Sequence, residues 1–345
     1  MRLRDLLDVP ALSRQLKPEI EACLDGKAKP PKSLGRLEEL AVRIGMIQHS
    51  TQPKITKPSL IVFAGDHGMT RSGVAAFPAS VTVSMVDSLL AGRASANAIA
   101  RVVGADVQVV DAGVAADLSD RNGLIHRKVG WGTNDASVEP AMSVEQAQIS
   151  LINGVQVADT LIDAGTDLVA LGEMGIGNSS SAALIIHRLS GAPLDRCVGP
   201  GAGHSKDGMA IKRAVLARAA ARTDVTEPMN VLVQFGGFEI AQIAGAILAC
   251  AKRRVPVLID GFICSAAALL ALRLAPNAQD FCIFTHISAE PGYAVITDNL
   301  GVRPLFDLEM RLGEGTGALL AVPLINSACA ITSEVATLAE VLGTA

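Results

Sequence analysis

A glycine-rich segment, Gly172-Glu173-Met174-Gly175-Ile176-Gly177-Asn178-Ser179-Ser180-Ser181, leads directly into an apolar helical pattern. Its glycines leave backbone N–H groups uncovered, and its serine hydroxyls stand at the positive end of the helix, an arrangement that suits a phosphate group. The segment has neither the lysine of a Walker loop nor Gly-x-Gly-x-x-Gly spacing. Taken alone, it fits a phosphate site and a plain tight turn equally well.

A carboxylate stands between glycines in Arg311-Leu312-Gly313-Glu314-Gly315-Thr316-Gly317-Ala318, just before a long apolar helical pattern. Glu314 is badly placed for a solvated helix face and well placed to contact a small molecule. A charge that interacts with the dipole at the helix entry is the equally good alternative.

Asp66-His67 is the pair most like a metal site or a hydrolase centre. Because it has no clustered partners in the sequence, a hydrogen-bonded strand end is the better interpretation. The same caution applies to His286 and to Asp260, which could equally cap a helix.

Short apolar runs that end at glycine or polar residues predict six buried strands. They are Leu60–Ala64, Val107–Val110, Leu168–Leu171, Val231–Phe235, Val257–Ile259 and Phe281–Phe284. Alanine-rich helical patterns lie between them: Ser80–Ala100, Met142–Ala164, Asn178–Leu189, Gly208–Arg222, Glu239–Lys252 and Ser265–Leu274. Strands that alternate with helices favour an α/β fold, an open parallel six-stranded sheet with right-handed crossovers.

Ligands of open parallel sheets bind at the carboxyl ends of the strands. The Gly172–Ser181 segment, the Asp66-His67 pair, Asp260 and His286 are therefore expected near one edge of the sheet. Residues 58–302 are predicted to form the large domain. Residues 1–57 and 303–345 are each too short for a separate core, so we expect the two chain ends to form one small helical domain.

Composition limits the classes of partner. The formal net charge is −4 and only 3% of residues are aromatic, which gives nucleic acid neither a basic field nor a stacking surface. The most apolar window noted, 240–251, is too short to span a membrane. The mixed charges of the first eight residues do not resemble an export signal. Six cysteines without Cys-x-x-Cys spacing indicate reduced thiols and a cytoplasmic protein.

Nine segments, in order between residues 30 and 325, resemble the nicotinate-nucleotide:dimethylbenzimidazole phosphoribosyltransferases, which make the lower-ligand nucleotide of cobalamin. They are Pro30–Glu38, Ala64–Gly68, Gly73–Thr82, Glu139–Met142, Gly172–Ser180, Gly236–Ile240, Asp260–Ile263, Ser288–Glu290 and Arg311–Gly317. Each segment is a weak signal, but the joint match is highly specific.

The resemblance implies a Rossmann-like sheet with a small helical domain from both chain ends, a homodimer, and no metal or cofactor. It implies transfer of the 5-phosphoribosyl group from nicotinate mononucleotide to dimethylbenzimidazole. Glu314 would be the catalytic base, and Glu173 would lie beside the ribose or the base. The phosphate and ribose would bind to Gly175, Ile176, Gly177, Asn178, Ser179 and Lys212, and the aromatic base to Phe77, Ser80, Met174 and Leu312.

Three positions depart from the family pattern. Asp135 stands where asparagine is expected, Tyr293 replaces a commoner histidine, and Lys32 occupies a position where glycine is frequent. None of the three is the expected base. Differences within 77–85 leave the preferred benzimidazole open.

Two other functions remain open on the sequence. Glycine-rich turns after strands are also typical of nucleotide-dependent oxidoreductases, although Gly-x-Gly-x-x-Gly is missing after the first strand. A non-catalytic binder of benzimidazole-like or flavin-like rings is the second alternative.

Overall fold

The centre of the protein is one parallel sheet. We describe it from a computed structural model that covers residues 3–344. Its strands are β1 (Pro58–Gly65), β2 (Asp106–Gly113), β3 (Leu124–His126), β4 (Leu168–Met174), β5 (Val257–Ile259) and β6 (Cys282–Phe284). They lie in the order β3-β2-β1-β4-β5-β6, and every neighbouring pair is parallel. This order belongs to the doubly wound α/β class, so the predicted fold class is confirmed.

Helices flank the sheet and fill both ends of the chain. They are α1 (Leu3–Leu7), α2 (Lys17–Asp25), α3 (Arg36–Gln48), α4 (Ser80–Leu90), α5 (Ser95–Val103), α6 (Val144–Asp163), α7 (Asn178–Ser190), α8 (Leu194–Cys197), α9 (Lys206–Ala221), α10 (Pro228–Phe235), α11 (Phe238–Lys252), α12 (Phe262–Leu274), α13 (Gly292–Leu300), α14 (Thr316–Glu334) and α15 (Leu338–Leu342). Short 3₁₀ turns occupy Gly68–Ser72 and Pro276–Phe281.

One predicted strand is wrong. Val231–Phe235 belongs to helix α10. Pro228 stands in its first turn, and the Glu227 carboxylate caps it by accepting hydrogen bonds from the Met229 and Asn230 amides. A short apolar run fits a buried strand and a buried helix equally, and the proline and the carboxylate before it were the signals for a helix.

The sheet still has six strands, because β3 takes the place of the wrongly predicted one. Strand β3 is only three residues long, which is too short to be predicted from an apolar run. The predicted helix over Ser80–Ala100 is two helices, α4 and α5. Between them Gly92 adopts a left-handed backbone with φ +71°. The break matters for function, since it presents the first turn of α5 to the interior.

Burial is most complete in β1 and α11. All eight residues of β1 are buried, as are fourteen of the fifteen residues of α11. Helix α11 packs against α6 at two glycines. A Cβ built on Gly154 would lie 1.9 Å from the Gln242 carbonyl oxygen, and one on Gly245 would lie 2.0 Å from the Leu151 carbonyl oxygen. The two backbones therefore touch, and glycine is required at both positions.

The two chain ends meet. Helix α14 packs against α3 and α5, and an isolated bridge pairs Lys27 with Thr337. Helix α14 also contacts β4 and β5, so its first turn reaches the edge of the sheet. That the ends form a separate small domain, with boundaries at 57 and 303, stays a prediction.

Helix α14 is also long and apolar enough, by length and composition alone, to cross a membrane. Of its most apolar window, 61% is buried inside the protein. The core helix of a soluble protein passes the same test, so this is weak evidence for a span.

The α6–α11 contact is open to a direct test. We expect Gly154→Ala to lower the free energy of unfolding by about 1–3 kcal/mol, because the added methyl group must push the two helices apart. Gly26→Ala is the matched control, since a Cβ there meets nothing closer than 3.4 Å. Urea denaturation measures both. Equal midpoints for the two variants would refute the close packing.

Candidate active site

The chain presents its polar groups where β1 and β4 lie side by side. The strand order reverses at this point, which is where ligands of doubly wound sheets bind. A cavity of about 130 Å³ opens there, lined by Gly175–Ser179 after β4 and by Gly201, Glu290 and Leu312. A smaller one, which shares Glu173, Glu290 and Leu312, adjoins it.

A larger cavity, about 540 Å³, lies between the N-terminal helices and residue 280. Its lining mixes cations such as Arg14 and Lys17 with anions such as Glu21 and Asp25. It is far from the strand ends and none of the predicted site residues lines it. The cavity at the switch point is therefore the better candidate, despite its size.

The loop after β4 presents free amide groups. Gly177 has a left-handed backbone, φ +96°, immediately before the first turn of α7. Within residues 3–344, the N–H groups of Gly177 and Ser179 donate to no protein acceptor. The Ile176 N–H is different, since it donates to Thr82 Oγ1 at 3.2 Å. Two amides at a helix N-terminus thus face the cavity, while a third holds the loop in place.

Asp66 supports this loop from behind. Thr82 Oγ1 donates to Asp66 Oδ1 at 2.7 Å, and the Ala115 N–H donates to Asp66 Oδ2 at 2.9 Å. Asp66 thereby ties Thr82, and through it Ile176, to the end of β1. This bears out the interpretation of Asp66 as a hydrogen-bonded strand end. Across residues 3–344, no group of three or more His, Cys, Asp or Glu side chains is placed to hold a metal ion.

His67 and Glu239 form a buried pair beneath the same loop. His67 Nε2 lies 2.6 Å from Glu239 Oε1, and both side chains are almost completely buried. Burial lowers the pKa of His67, but the Glu239 and Asp66 carboxylates outweigh it and raise the pKa. A Cβ on Gly177 would lie 3.4 Å from His67 Cβ. The pair therefore fills the space against which the loop packs.

Lys212 of α9 contacts the cavity wall through Ser179. Its ammonium group is buried and donates to Ser179 Oγ at 3.0 Å and to the Gly199 carbonyl oxygen at 2.9 Å. An ammonium group has three donors, so one remains for a ligand. Burial lowers the pKa of Lys212 to about 8.

The structure shows the surroundings of the three residues that depart from the family pattern. Asp135 accepts hydrogen bonds from Ser72 Oγ and Ser137, and Arg218 of α9 donates to both serines. Its charge therefore has a nearby cation, and the pKa of Asp135 is lowered by these hydrogen bonds although burial opposes them. Lys32 has φ +60°, a conformation that favours glycine. Tyr293 is buried, and its hydroxyl has no hydrogen-bond partner in the described residues.

Glu314 has an unusual backbone. Gly313, Glu314 and Gly315 are left-handed in succession, with φ +89°, +60° and +80°. The Glu314 N–H donates to the Glu173 carbonyl oxygen at 3.2 Å, which fastens this turn to the end of β4. Such a conformation costs a non-glycine residue of the order of 1 kcal/mol or more, and it persists only where the surroundings impose it.

Asp260 supplies much of that constraint. From the end of β5, its carboxylate accepts the Gly315 N–H and the Ala318 N–H, both at 3.1 Å. Asp260 therefore caps α14, in line with the capping alternative for this residue, although the helix is distant in sequence. Burial raises the pKa of Asp260 to about 6. His286 stacks on Phe306 nearby, and burial lowers its pKa to about 4, so it is neutral.

The Glu314 carboxyl group is buried against α5. Its Oε2 accepts the Ala96 N–H at 3.3 Å, while Oε1 makes no hydrogen bond within residues 3–344. Burial and the charge of Asp260 raise its pKa, against the Ala96 amide, which lowers it. Glu314 does not itself line the cavity, whereas its neighbours Leu312 and Gly313 do. The residue next to Glu314 in the chain therefore belongs to the wall of the smaller cavity.

Glu173 does line the cavity, and it is held as an acid. Asn178 Nδ2 donates to Glu173 Oε2. Burial, with smaller contributions from the carboxylates of Asp260, Glu239 and Glu314, raises the pKa of Glu173 to about 8. This side chain is therefore mostly protonated at neutral pH.

The four residues predicted to hold an aromatic base are not all together. Phe77, Met174 and Leu312 line the cavity. Phe77 and Leu312 are 50% and 57% exposed, which is unusual for large apolar side chains and leaves them available to a ligand. Ser80 is the exposed first residue of α4 and does not line the cavity.

Sequence reasoning gave no role to four residues of this region. Thr82 supports the loop, His204 Nε2 contacts the Val74 carbonyl oxygen, and Arg311 and Glu290 line the cavity. Thr82, Glu290 and Arg311 lie in segments that carried the family resemblance. Their place in those segments was the only sign in the sequence that these three residues matter. Their contacts are made between parts of the chain that only the fold brings together.

The fold and these groups define a class: a doubly wound α/β protein whose switch point suits a small anionic ligand. Comparison with known proteins is more specific. A family model described as phosphoribosyltransferase matches residues 9–341. The chain belongs to this phosphoribosyltransferase family and is a transferase, which confirms the resemblance seen in the sequence.

Individual relatives cover nearly the whole chain. The nicotinate-nucleotide–dimethylbenzimidazole phosphoribosyltransferase of Cupriavidus necator is 46% identical over 96% of this chain and 96% of its own. The protein of the same name from Chloroflexus aggregans is 49% identical over 92% and 90%. The crystal structure of CobT from Thermus thermophilus superposes with a TM-score of 0.91 at 39% identity, covering 96% of this chain and 99% of that one.

The protonated state of Glu173 predicts a pH dependence of stability. Its ordinary pKa is 4.5 and its native pKa is about 8, so between these values the native state keeps a proton that the unfolded state has lost. Stability from this group is therefore complete below pH 4.5 and is lost as the pH rises to 8, by at most about 1.4 kcal/mol per pH unit.

We expect Glu173→Gln, which cannot ionise, to remove this slope and to be more stable than the wild type at pH 8. Urea denaturation at pH 6, 7 and 8 measures it. Glu334→Gln, at an exposed carboxyl group, should follow the wild type. A Glu173→Gln variant whose stability falls in parallel with the wild type would show that Glu173 is ionised throughout.

Proposed function

We propose that this protein transfers the 5-phosphoribosyl group from nicotinate mononucleotide to 5,6-dimethylbenzimidazole, giving α-ribazole 5′-phosphate and nicotinate in cobalamin lower-ligand assembly. The names of the relatives support this assignment over nearly the entire chain. The observation that carries it is the buried Gly313-Glu314-Gly315 turn, fastened to Glu173 beside a loop with free amides.

The phosphate is proposed to bind at the loop after β4. The free N–H groups of Gly177 and Ser179 belong to residues of the cavity wall, and Lys212, which has one donor left, contacts Ser179 there. Gly175 and Asn178 shape this turn, and Ile176 holds it to Thr82. A phosphate at a helix N-terminus gains from the backbone donors and from the helix dipole.

Glu314 is proposed as the base. The benzimidazole nitrogen attacks C1′ of the ribose, and the bond from C1′ to the nicotinate nitrogen breaks with its electrons going to that nitrogen. The second benzimidazole nitrogen loses its proton to Glu314. A pKa raised by burial improves a carboxylate as a proton acceptor, and such a base contributes about 10² to 10⁴ in rate.

The leaving group explains why one base can suffice. The base of nicotinate mononucleotide is a pyridinium ring, so its ring nitrogen departs neutral and needs no general acid. This differs from ordinary glycoside hydrolysis, where two carboxyl groups share acid and base roles. The positive charge that spreads over the ribose is proposed to be stabilised by Glu173, because a cation beside this carboxyl group favours its ionised form.

The acceptor ring is proposed to lie against Phe77, Met174 and Leu312, with Ser80 at the outer edge. The first three are apolar cavity-lining side chains, and two of them are half exposed. Holding the two rings on opposite faces of the ribose turns a β-linked substrate into an α-linked product.

The two alternative functions receive no support. The family is one of transferases, and the turn after β1 is Gly65-Asp66-His67-Gly68, with no dinucleotide fingerprint. A protein that only binds its ligand would not need a buried carboxyl group at Glu314 or the unfavourable left-handed backbone conformation there.

A homodimer in the cytoplasm is part of the same proposal. It rests on the family resemblance and on cysteines that the structure leaves free in all six cases. Light scattering coupled to gel filtration gives the mass in solution; a mass of about 36 kDa would be that of a monomer and would contradict the dimer.

The base assignment predicts the behaviour of Glu314→Gln. We expect this variant to bind nicotinate mononucleotide normally but to lose about 10² to 10⁴ in kcat, because the amide cannot accept the azole proton. Release of nicotinate and formation of the new glycosidic bond are followed by NMR. Glu309→Gln, in the exposed segment just before, is the control. Near-normal kcat in Glu314→Gln would remove Glu314 from the mechanism.

The phosphate assignment predicts the behaviour of Lys212→Met. We expect KM for the nucleotide to rise roughly ten- to hundredfold with KM for the benzimidazole nearly unchanged, because only one substrate carries phosphate. In the wild type, nucleotide affinity should fall above pH 8 as the ammonium group loses its proton. Lys212→Arg, which stays charged, should keep its affinity there. Equal rises of both KM values in Lys212→Met would contradict the assignment.

A further inference from the structure

Glu290 is a buried carboxyl group without a partner. It lies just before α13, is 5% exposed, and lines both the main cavity and the smaller one. Within residues 3–344, neither Oε1 nor Oε2 makes a hydrogen bond. Native proteins pair almost all buried polar groups, so two orphaned oxygens on one carboxyl group facing a cavity indicate that a ligand completes them.

The neighbours of this group, two cations and the Gly201 amide, act on it without making a hydrogen bond to it in the described residues. Lys212 favours its charged form from a distance, while two of the three lysine donors bind Ser179 and the Gly199 carbonyl oxygen. Arg311 also acts at a distance and donates instead to the Gly201 carbonyl oxygen at 3.4 Å. Burial raises the pKa of Glu290, and this effect outweighs the two cations and the nearby Gly201 amide.

The carboxyl group is also fixed in place. A Cβ built on Gly199 would lie only 2.0 Å from Glu290 Oε2, so the side chain is pressed against the backbone of the Gly199–Gly201 segment. The same segment carries the carbonyl oxygen that orients Lys212. Glu290 therefore has a set position beside the proposed phosphate site.

We infer that Glu290 binds the 2′- and 3′-hydroxyl groups of the nucleotide ribose and so selects a ribonucleotide. This inference rests on the proposed function. A phosphate dianion next to a carboxyl group is disfavoured, so the ligand atoms that meet Glu290 must be uncharged donors. The vicinal hydroxyls are two such donors, attached to the phosphate through one short linkage, and they match two carboxylate oxygens. Acidic side chains bind ribose hydroxyls in the same way in other doubly wound folds.

Glu173 is less suited to this role. One of its oxygens already accepts from Asn178, and its pKa of about 8 keeps it mostly protonated at neutral pH. Glu290 has both oxygens available. The two carboxyl groups thus divide the ribose between them, with Glu290 at the hydroxyls and Glu173 near the carbon that reacts.

The test compares binding of nicotinate mononucleotide with that of its 2′-deoxy and 3′-deoxy analogues by calorimetry, without the acceptor. The wild type should prefer the ribonucleotide over each analogue by roughly ten- to hundredfold. Glu290→Gln should lose about tenfold in affinity for the ribonucleotide and little for the analogues, so that the preference shrinks to a few-fold. Inorganic phosphate, which lacks hydroxyls, should bind the variant at least as well as the wild type.

Two results would overturn the inference. The first is a Glu290→Gln variant that keeps the wild-type preference, or a wild type that has none. The second is a variant that loses affinity equally for the ribonucleotide, the analogues and inorganic phosphate, which would assign Glu290 to supporting the Lys212 segment. Glu309→Gln is the matched control and should behave as the wild type.

Failure of the proposed function looks different. A wild-type protein that binds the ribonucleotide selectively but releases no nicotinate when dimethylbenzimidazole is added would refute the transfer reaction and leave the role of Glu290 intact.

Discussion

The capping of α14 by Asp260 is the interaction on which the rest of the site depends. The carboxylate at the end of β5 accepts two backbone N–H groups from the first turn of a helix formed by the far end of the chain. This contact brings the C-terminal helix onto the sheet and forces the turn before it into three left-handed residues. That turn holds the Glu314 backbone against the end of β4, while its carboxyl group is buried against α5.

A consequence is that three acidic groups share a small buried volume. Asp260 raises the pKa of both Glu173 and Glu314, and Glu314 also raises the pKa of Glu173. Burial is the largest cause of the raised pKa in all three carboxyl groups. Such a cluster holds protons readily and gains from a positive charge brought to it. A nucleotide with a pyridinium ring is a ligand of that kind. Lys212 and the free amides of the loop after β4 supply the opposite polarity for its phosphate.

Much of this could be predicted from the sequence, and the failures have physical causes. The glycines around Glu314, and Gly177 before α7, indicated their turns, because few other residues tolerate those conformations. Val231–Phe235 was mistaken for a strand because five apolar residues carry no usable periodicity. Thr82 and Glu290 went without a role, since their importance lies in contacts across the fold or in partners that are missing, and neither leaves a pattern along the chain.

The central claim is that Glu314 receives the proton of the azole ring, although Glu314 does not line the cavity and its carboxyl group accepts a hydrogen bond from the Ala96 amide. A crystal structure of the protein with dimethylbenzimidazole bound tests it most directly. The account predicts a Glu314 carboxylate oxygen within about 2.6–3.2 Å of a ring nitrogen. A ring that occupies the site while Glu314 remains on Ala96, with both its oxygens out of reach, would contradict it.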